Sequence, residues 1–285
     1  MSPMPLWVAD LQKRRRGKIL GRKILFLEST DSTNRRAREE ALCGAPEGTA
    51  VIAESQSGGK GRLGRSWISP PGVNAYFSLV MRPPLPPERV PPMTLMAGVS
   101  CAWAIGRVTG LDVRLKWPND IFIGGKKAAG ILAEMEGGNS PRQFVILGIG
   151  INVNWEGAGM PADLRETATS LRIEAGKEFD RAGLVGETLA ELEKDYVLFR
   201  EGGFSERMRE EWTRFALGIG KRAMLTFPGH QLFGEIRGLD RDGALLFADL
   251  EGNTRRFTAG EVSLRFDPDP ENGFTAESAE TAEKN

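Results

Sequence analysis

The run Gly58-Gly59-Lys60-Gly61-Arg62-Leu63-Gly64-Arg65-Ser66-Trp67 packs four glycines and three cations, with no acid, into ten residues. Gly59, Gly61 and Gly64 satisfy a GxGxxG pattern. A dinucleotide-binding loop needs a helix directly after it. Here Pro70, Pro71 and Gly72 follow instead, so no helix starts. A protein-kinase loop needs a later HRD segment, which the chain lacks. A Walker A loop needs GK[ST], but Gly61 follows Lys60. What remains is a pliant backbone carrying Lys60, Arg62 and Arg65. Glycines let the main chain approach a ligand closely, and the cations suit an anionic group such as phosphate. The rival reading is a mobile surface loop.

Working outward from this run, helix and strand signals alternate. Residues 23–28 form a short β-rich run, and Asp31-Ser32-Thr33-Asn34 offers N-cap residues for a helix over 34–43, stopped by Gly44 and Pro46. Residues 49–54 read as a buried strand and 74–81 as an alternating one. The six prolines of 82–92 mark a loop, and 92–109 has helical spacing. Strands are predicted over 113–117, 121–123, 128–135 and 144–153. The unbroken apolar character of the last suggests cover on both faces. Amphipathic helices are predicted over 179–200 and 204–215. Beyond Leu217, five short strands separated by Pro228-Gly229, residues 240–243 and Gly252-Asn253 predict a small β-barrel. The reading is an α+β chain: an arm over 1–22, a main domain over 23–217, a barrel over 218–267 and a disordered acidic tail over 268–285.

Composition removes several function classes. The 285 residues carry 38 Lys+Arg and 38 Asp+Glu, a formal net charge of zero, which argues against nucleic-acid binding through overall charge. The basic cluster Lys13-Arg14-Arg15-Arg16 reads as a solvated face, with a nucleic-acid contact as the rival. An arm of this length is too short for a helix-turn-helix domain. One histidine and two cysteines exclude zinc sites of the HExxH or Cys2His2 kind and any disulfide framework. A reducing cytoplasm fits. Apolar stretches fall short of the ~20 residues a membrane span needs, and no signal-peptide core is expected.

Three further motifs carry polar or small residues at unusual places. Lys116-Trp117-Pro118-Asn119-Asp120 is an ordinary turn, or an aromatic beside an Asn amide that can stack on and bond a base edge, with Asp120 able to hold Mg2+. Lys126-Lys127-Ala128-Ala129-Gly130-Ile131-Leu132 leads a lysine into a buried strand, with Gly130 letting a ligand lie against the backbone. Gly148-Ile149-Gly150-Ile151-Asn152 places glycines inside an apolar strand, again suggesting close approach.

In this order, Ser32-Thr33-Asn34, Gln56, the GKGRLGRSW loop, KWPND, KxAGIL and GxGIN make the chain resemble biotin protein ligases, the biotin–[acetyl-CoA-carboxylase] ligases. The resemblance covers roughly residues 24–154, and the trailing barrel resembles the family's SH3-like C-terminal domain. Lys60 stands where the family's loop has an arginine; charge is kept but bidentate bonding is lost. The resemblance implies a mixed sheet flanked by helices, related to class II aminoacyl-tRNA synthetases. It implies activation of biotin with ATP and Mg2+ to biotinyl-5′-AMP, then transfer to a lysine of a biotin carboxyl-carrier protein domain. It also implies roles. Ser32, Thr33, Asn34 and Gln56 bind biotin, and Lys60, Gly61 and Arg62 lie over biotin and the phosphate. Gly130 passes close to biotin, and Arg65, Trp67, Lys116 and Asn119 bind ATP. Lys127 is the central catalytic cation, supported by Arg62 and by Asp120, which also holds the metal. The nearest alternatives are a lipoate-type protein ligase of the same fold and a biotin-responsive DNA-binding repressor, the latter disfavoured for want of room. A homodimer is left open.

Overall fold

A computed structural model describes residues 5–14, 17–138, 143–227, 230–258 and 263–266. The expected acidic tail, and Arg15 and Arg16 of the basic cluster, lie outside the described residues. The main body runs α1 (Leu6–Arg14), β1 (Ile24–Thr30), α2 (Thr33–Leu42), β2 (Ala50–Gln56), β3 (Ala75–Met81), α3 (Met93–Thr109), β4 (Arg114–Lys116), β5 (Asp120–Ile123), β6 (Lys126–Glu136) and β7 (Phe144–Ile151). It then closes with α4 (Leu171–Ala175), α5 (Arg181–Gly202) and α6 (Glu206–Phe215). The seven strands form one sheet in the order β1-β2-β3-β7-β6-β5-β4. Only the β1–β2 pair is parallel, so the sheet is mixed, as expected.

Side-chain parity on the central strands decides where the sheet is covered. Successive strand residues point to opposite faces. On β7, Val145, Leu147, Ile149 and Ile151 join the large core shared with α3 and α5, whereas Phe144 and Ile146 join a smaller core beneath α2 with Ala37, Ala41, Val51 and Val80. Continuing along that second face, the next two residues are Gly148 and Gly150. Ser78 pairs with Gly148 on one side, and Leu132 on the other; Gly130 pairs with Gly150. On this face β7 thus switches from large side chains to glycine beneath the start of α2, and a small-residue floor begins. Every residue of β3 is buried. Its expected alternation is between two cores rather than between core and solvent.

The arm holds a packed helix on which Lys13 and Arg14 are exposed, as the solvated-face reading expects. Val8 and Leu11 of α1 are both 0% exposed, and α1 packs on α5. Because α3 also packs on α5, that helix is covered from two directions rather than one-sided. Glu54 on β2 ties the arm to the sheet. It accepts from Trp7 Nε1 at 3.0 Å, Arg181 Nη1 at 2.6 Å and the Gly72 amide at 2.9 Å. Cys101 lies fully inside α3, and burial pushes its thiol up to about 12.

The C-terminal module has five antiparallel strands, β8 (Arg222–Phe227), β9 (His230–Leu239), β10 (Leu245–Asp249), β11 (Thr254–Phe257) and β12 (Ser263–Phe266), ordered β11-β10-β9-β8-β12. Its turns use aspartates as local acceptors: Asp240 Oδ1 takes the amides of Asp242 and Ala244, and Asp249 Oδ1 those of Glu251 and Asn253. Its interior, including Leu225, Ile236, Phe247 and Leu264, is continuous with the main core. Among the described residues, no helix is long and apolar enough to cross a membrane.

Candidate functional site

Every residue to which the family resemblance gives a role lines one cleft above the small-residue floor. They arrive from separate elements: Ser32, Thr33 and Asn34 from the start of α2, Gln56 from the end of β2, Lys60 to Trp67 from the glycine-rich loop, Lys116 to Asp120 from the β4–β5 turn, and Lys127 and Gly130 from β6.

At one end, polar groups are fixed from behind. Ser32 caps α2 with extended backbone, yet makes no side-chain cap bond. Its own amide goes to Asp31 Oδ1 at 2.7 Å, and the Thr33 amide goes to Gln56 Oε1 at 2.8 Å. The hydroxyl that ordinarily serves the helix end is not spent there. Gln56 Nε2 donates to Ser69 Oγ at 2.9 Å, which donates to the Trp67 carbonyl at 3.1 Å. The glycine-rich loop therefore leaves and rejoins the body at Gln56 and Ser69. Inside it, the Gly61 amide bonds Arg65 O at 2.7 Å and the Trp67 amide bonds Gly59 O at 2.8 Å. A Cβ on Gly59 would collide with the Trp67 carbonyl, which explains glycine there.

The glycines of β6 and β7 admit a close approach, part of it from the chain itself. A Cβ on Gly150 would sit 2.7 Å from Trp67 Cε2, and one on Gly130 would sit 3.0 Å from Trp67 Cζ3. A Cβ on Gly148 would collide with Asn34 Oδ1. The indole of Trp67 and the amide of Asn34 thus rest directly on the sheet. Trp67 Nε1 is buried without a hydrogen-bond partner, a polar atom left over in the cleft. The aromatic of the KWPND turn does not share this position: Trp117 edges the cleft but is 2% exposed and packs into the core.

Electrostatics are one-sided. The lining includes Lys60, Arg62, Arg65, Lys116 and Lys127 against a single carboxylate, Asp120. Lys127 Nζ lies 2.5 Å from Asp120 Oδ1 and 5.3 Å from the Trp67 ring centroid. Arg62 Nη1 donates to Asn119 Oδ1 at 3.3 Å, and Asn119 Nδ2 donates to Ile131 O at 2.9 Å. Burial pulls the Arg62 guanidinium below its ordinary value, with Asp120 opposing. Burial likewise depresses Lys116, against the pull of Asp120 and with Lys127, Arg265 and Arg65 adding repulsion. Such a concentration of positive charge stabilises an anion in the cleft.

Residues 26–152 match the biotin/lipoate A/B protein ligase family, and residues 218–265 match the biotin protein ligase C terminal domain. The bifunctional ligase/repressor BirA of Bacillus subtilis is 36% identical over 90% of this chain and 79% of its own length. The chain belongs to the biotin/lipoate A/B protein ligase family. The biotin–[acetyl-CoA-carboxylase] ligase of Mycobacterium tuberculosis is 31% identical, with 85% of this chain and 88% of that protein covered. The biotin protein ligase of Aquifex aeolicus, solved with biotin and ATP, is 30% identical with a TM-score of 0.74. The match covers 86% of this chain and 100% of that one.

Within this family member, two cleft-side residues escape the sequence motifs. Leu264 of β12 is 4% exposed and lines the cleft, so the C-terminal module supplies part of its wall. Ser78 of β3 lies beneath Thr33 and Asn34, at 0% exposure. Neither sits in a run whose local pattern signals a site. Among the described residues no cluster of three or more His, Cys, Asp or Glu is arranged to hold a metal ion.

Proposed function

We propose that this chain activates biotin with ATP to biotinyl-5′-AMP, releasing pyrophosphate. It then passes the biotinyl group to one lysine of a biotin carboxyl-carrier domain of acetyl-CoA carboxylase or a similar carboxylase. The observation that carries this reading is the convergence of five cations and one carboxylate over a glycine floor. The reaction brings two anions together, the biotin carboxylate and the α-phosphate, and they repel as they approach.

In this reading Ser32, Thr33, Asn34 and Gln56 take the ring of biotin, and Gly130 lets the substrate pass close to the backbone. Lys60, Gly61 and Arg62 cover biotin and the α-phosphate. Trp67 and Asn119 take adenine, while Arg65 and Lys116 face the phosphates. Asn119 is already anchored to β6, so exchanging only its 3.3 Å bond from Arg62 opens it to a base. Lys127 touches carboxylate and phosphate together and stabilises the charge of the pentacovalent transition state. Asp120 orients that ammonium through its 2.5 Å ion pair. A carboxylate oxygen attacks the α-phosphorus and pyrophosphate leaves. The acceptor amine then attacks the mixed anhydride and AMP leaves, so the chain needs no covalent nucleophile.

One carboxylate in the cleft suits Mg2+ held mostly by phosphate oxygens and water rather than by a protein cage. Asp120 is the residue that would reach it, and the ion would supply charge to the departing pyrophosphate. Leu264 in the cleft wall supports a part for the C-terminal module in docking the carrier or closing the ATP site. Incubation with biotin, ATP, Mg2+ and a carrier domain, read by mass spectrometry, tests the proposal. Mass gain on one carrier lysine is expected; no gain with biotin, or a gain with lipoate instead, overturns it.

A further inference from the structure

Ser78 is a hydroxyl sealed in the middle of a core strand, and no step of the proposed reaction uses it. It is 0% exposed and sits on the face where its neighbours two residues away are Tyr76 and Val80. Its Oγ is 2.6 Å from Asn34 Oδ1 and 2.8 Å from Thr33 Oγ1. Counting hydrogens orients this group. The Asn34 amide is directed by its Nδ2, which donates to Glu134 Oε2 at 2.6 Å and Leu132 O at 3.4 Å. Asn34 Oδ1 can then only accept, so the single hydrogen of Ser78 goes to it. The hydroxyl hydrogen of Thr33 is left with the buried Ser78 Oγ at 2.8 Å or with Gln56 Oε1 at 3.1 Å, two acceptors that the protein itself supplies. Thr33 therefore presents lone pairs, not a hydrogen, to whatever lies above it. Gly148 leaves the space that seats the Asn34 amide, since a Cβ there would collide with Asn34 Oδ1.

We propose that Ser78 is a positioning residue: by holding the Asn34 amide oxygen and taking up the Thr33 hydroxyl hydrogen from behind, it leaves Thr33 as an acceptor at the ring end of the cleft, which selects a cyclic urea over rings without N–H groups. The proposal rests on the biotin-ligase reading and deepens it. An unpaired acceptor in a site built for hydrogen bonding discriminates strongly against a ligand that lacks the donor.

The test is steady-state pyrophosphate release by the full chain, with biotin and ATP varied separately. Wild-type release that depends on both substrates comes first, and its absence overturns the ligase reading together with this one. Given that activity, Ser78→Ala is expected to raise the biotin KM by ~10-fold or more while the ATP KM stays within ~2-fold, because one buried hydrogen-bond network is lost at the ring end only. In a Thr33→Val background the same substitution is expected to add less than ~2-fold, since two groups acting through one network are not additive. If Ser78→Ala does not fold, Ser78→Cys keeps the volume with a weaker donor and is judged by the same criteria. A biotin KM unchanged in the variant overturns the role of Ser78. So does a parallel rise of both KM values with a fall in Tm, which marks a merely structural serine.

Discussion

At the scale of single residues, the proposed chemistry rests mostly on charge gathered in one cleft. Lys127→Ala removes the ammonium that the proposed reaction places between carboxylate and phosphate. Loss of such a preorganised donor costs ~10²–10³-fold in rate, so biotin-dependent pyrophosphate release is expected to fall by that factor with the fold intact. Near wild-type release would remove Lys127 from the centre of the mechanism. Lys116 makes a prediction of a different kind. Burial depresses its ionisation, and a depressed lysine loses its proton at lower pH than an ordinary one. The cation is lost as pH rises through that depressed value. The ATP KM is therefore expected to climb on the alkaline side, and Lys116→Arg to move that limb upward. An ATP KM flat across the alkaline range in wild type contradicts this.

At the scale of elements, the glycines of β7 mark how far sequence carried. A glycine in an apolar strand correctly signals close approach, but not of what. The approaching groups are Trp67 and Asn34, from a loop and a helix about 80 and 110 residues earlier in the chain, and strand pattern holds no record of them. The motif residues themselves were legible because their types are chemically unusual where they stand: cations among glycines, an Asn-Asp turn, a lysine opening a buried strand. Ser78 was not, since serine in a strand is unremarkable until Gly148 is known to lie opposite. Trp117 was left open between an ordinary turn and a stacking aromatic, because local sequence does not record whether a turn's aromatic points into the core. The close packing of Trp67 gives an element-scale prediction. Gly150→Ala puts a methyl 2.7 Å from the indole and displaces it. The ATP KM is expected to rise by ~10-fold, about the effect of one lost aromatic contact, with less change in the biotin KM. A selective biotin defect in Gly150→Ala would place Trp67 on the wrong substrate.

At the scale of the whole molecule, the C-terminal module is joined to the main body by more than a linker. The Leu217 amide bonds Leu115 O at 2.7 Å, which attaches the chain to β4 just before the KWPND turn. The turn at Gly243 presses on α3, where an added Cβ would lie 2.8 Å from Leu95 Cδ1. Leu264 reaches back into the cleft, and the interior of the module merges with the main core. Interfaces within a chain that are small and polar let domains melt separately, whereas one continuous apolar core couples them. Calorimetry of the full chain is therefore expected to show a single transition. Leu264→Ala should lower it as a whole, with about 2–5 kcal/mol lost as for other buried leucines. Because the same side chain forms cleft wall, the ATP KM should rise in step. Two transitions in the wild type, with Leu264→Ala moving only the lower one and leaving ATP binding untouched, would make the module a passenger rather than a wall of the site.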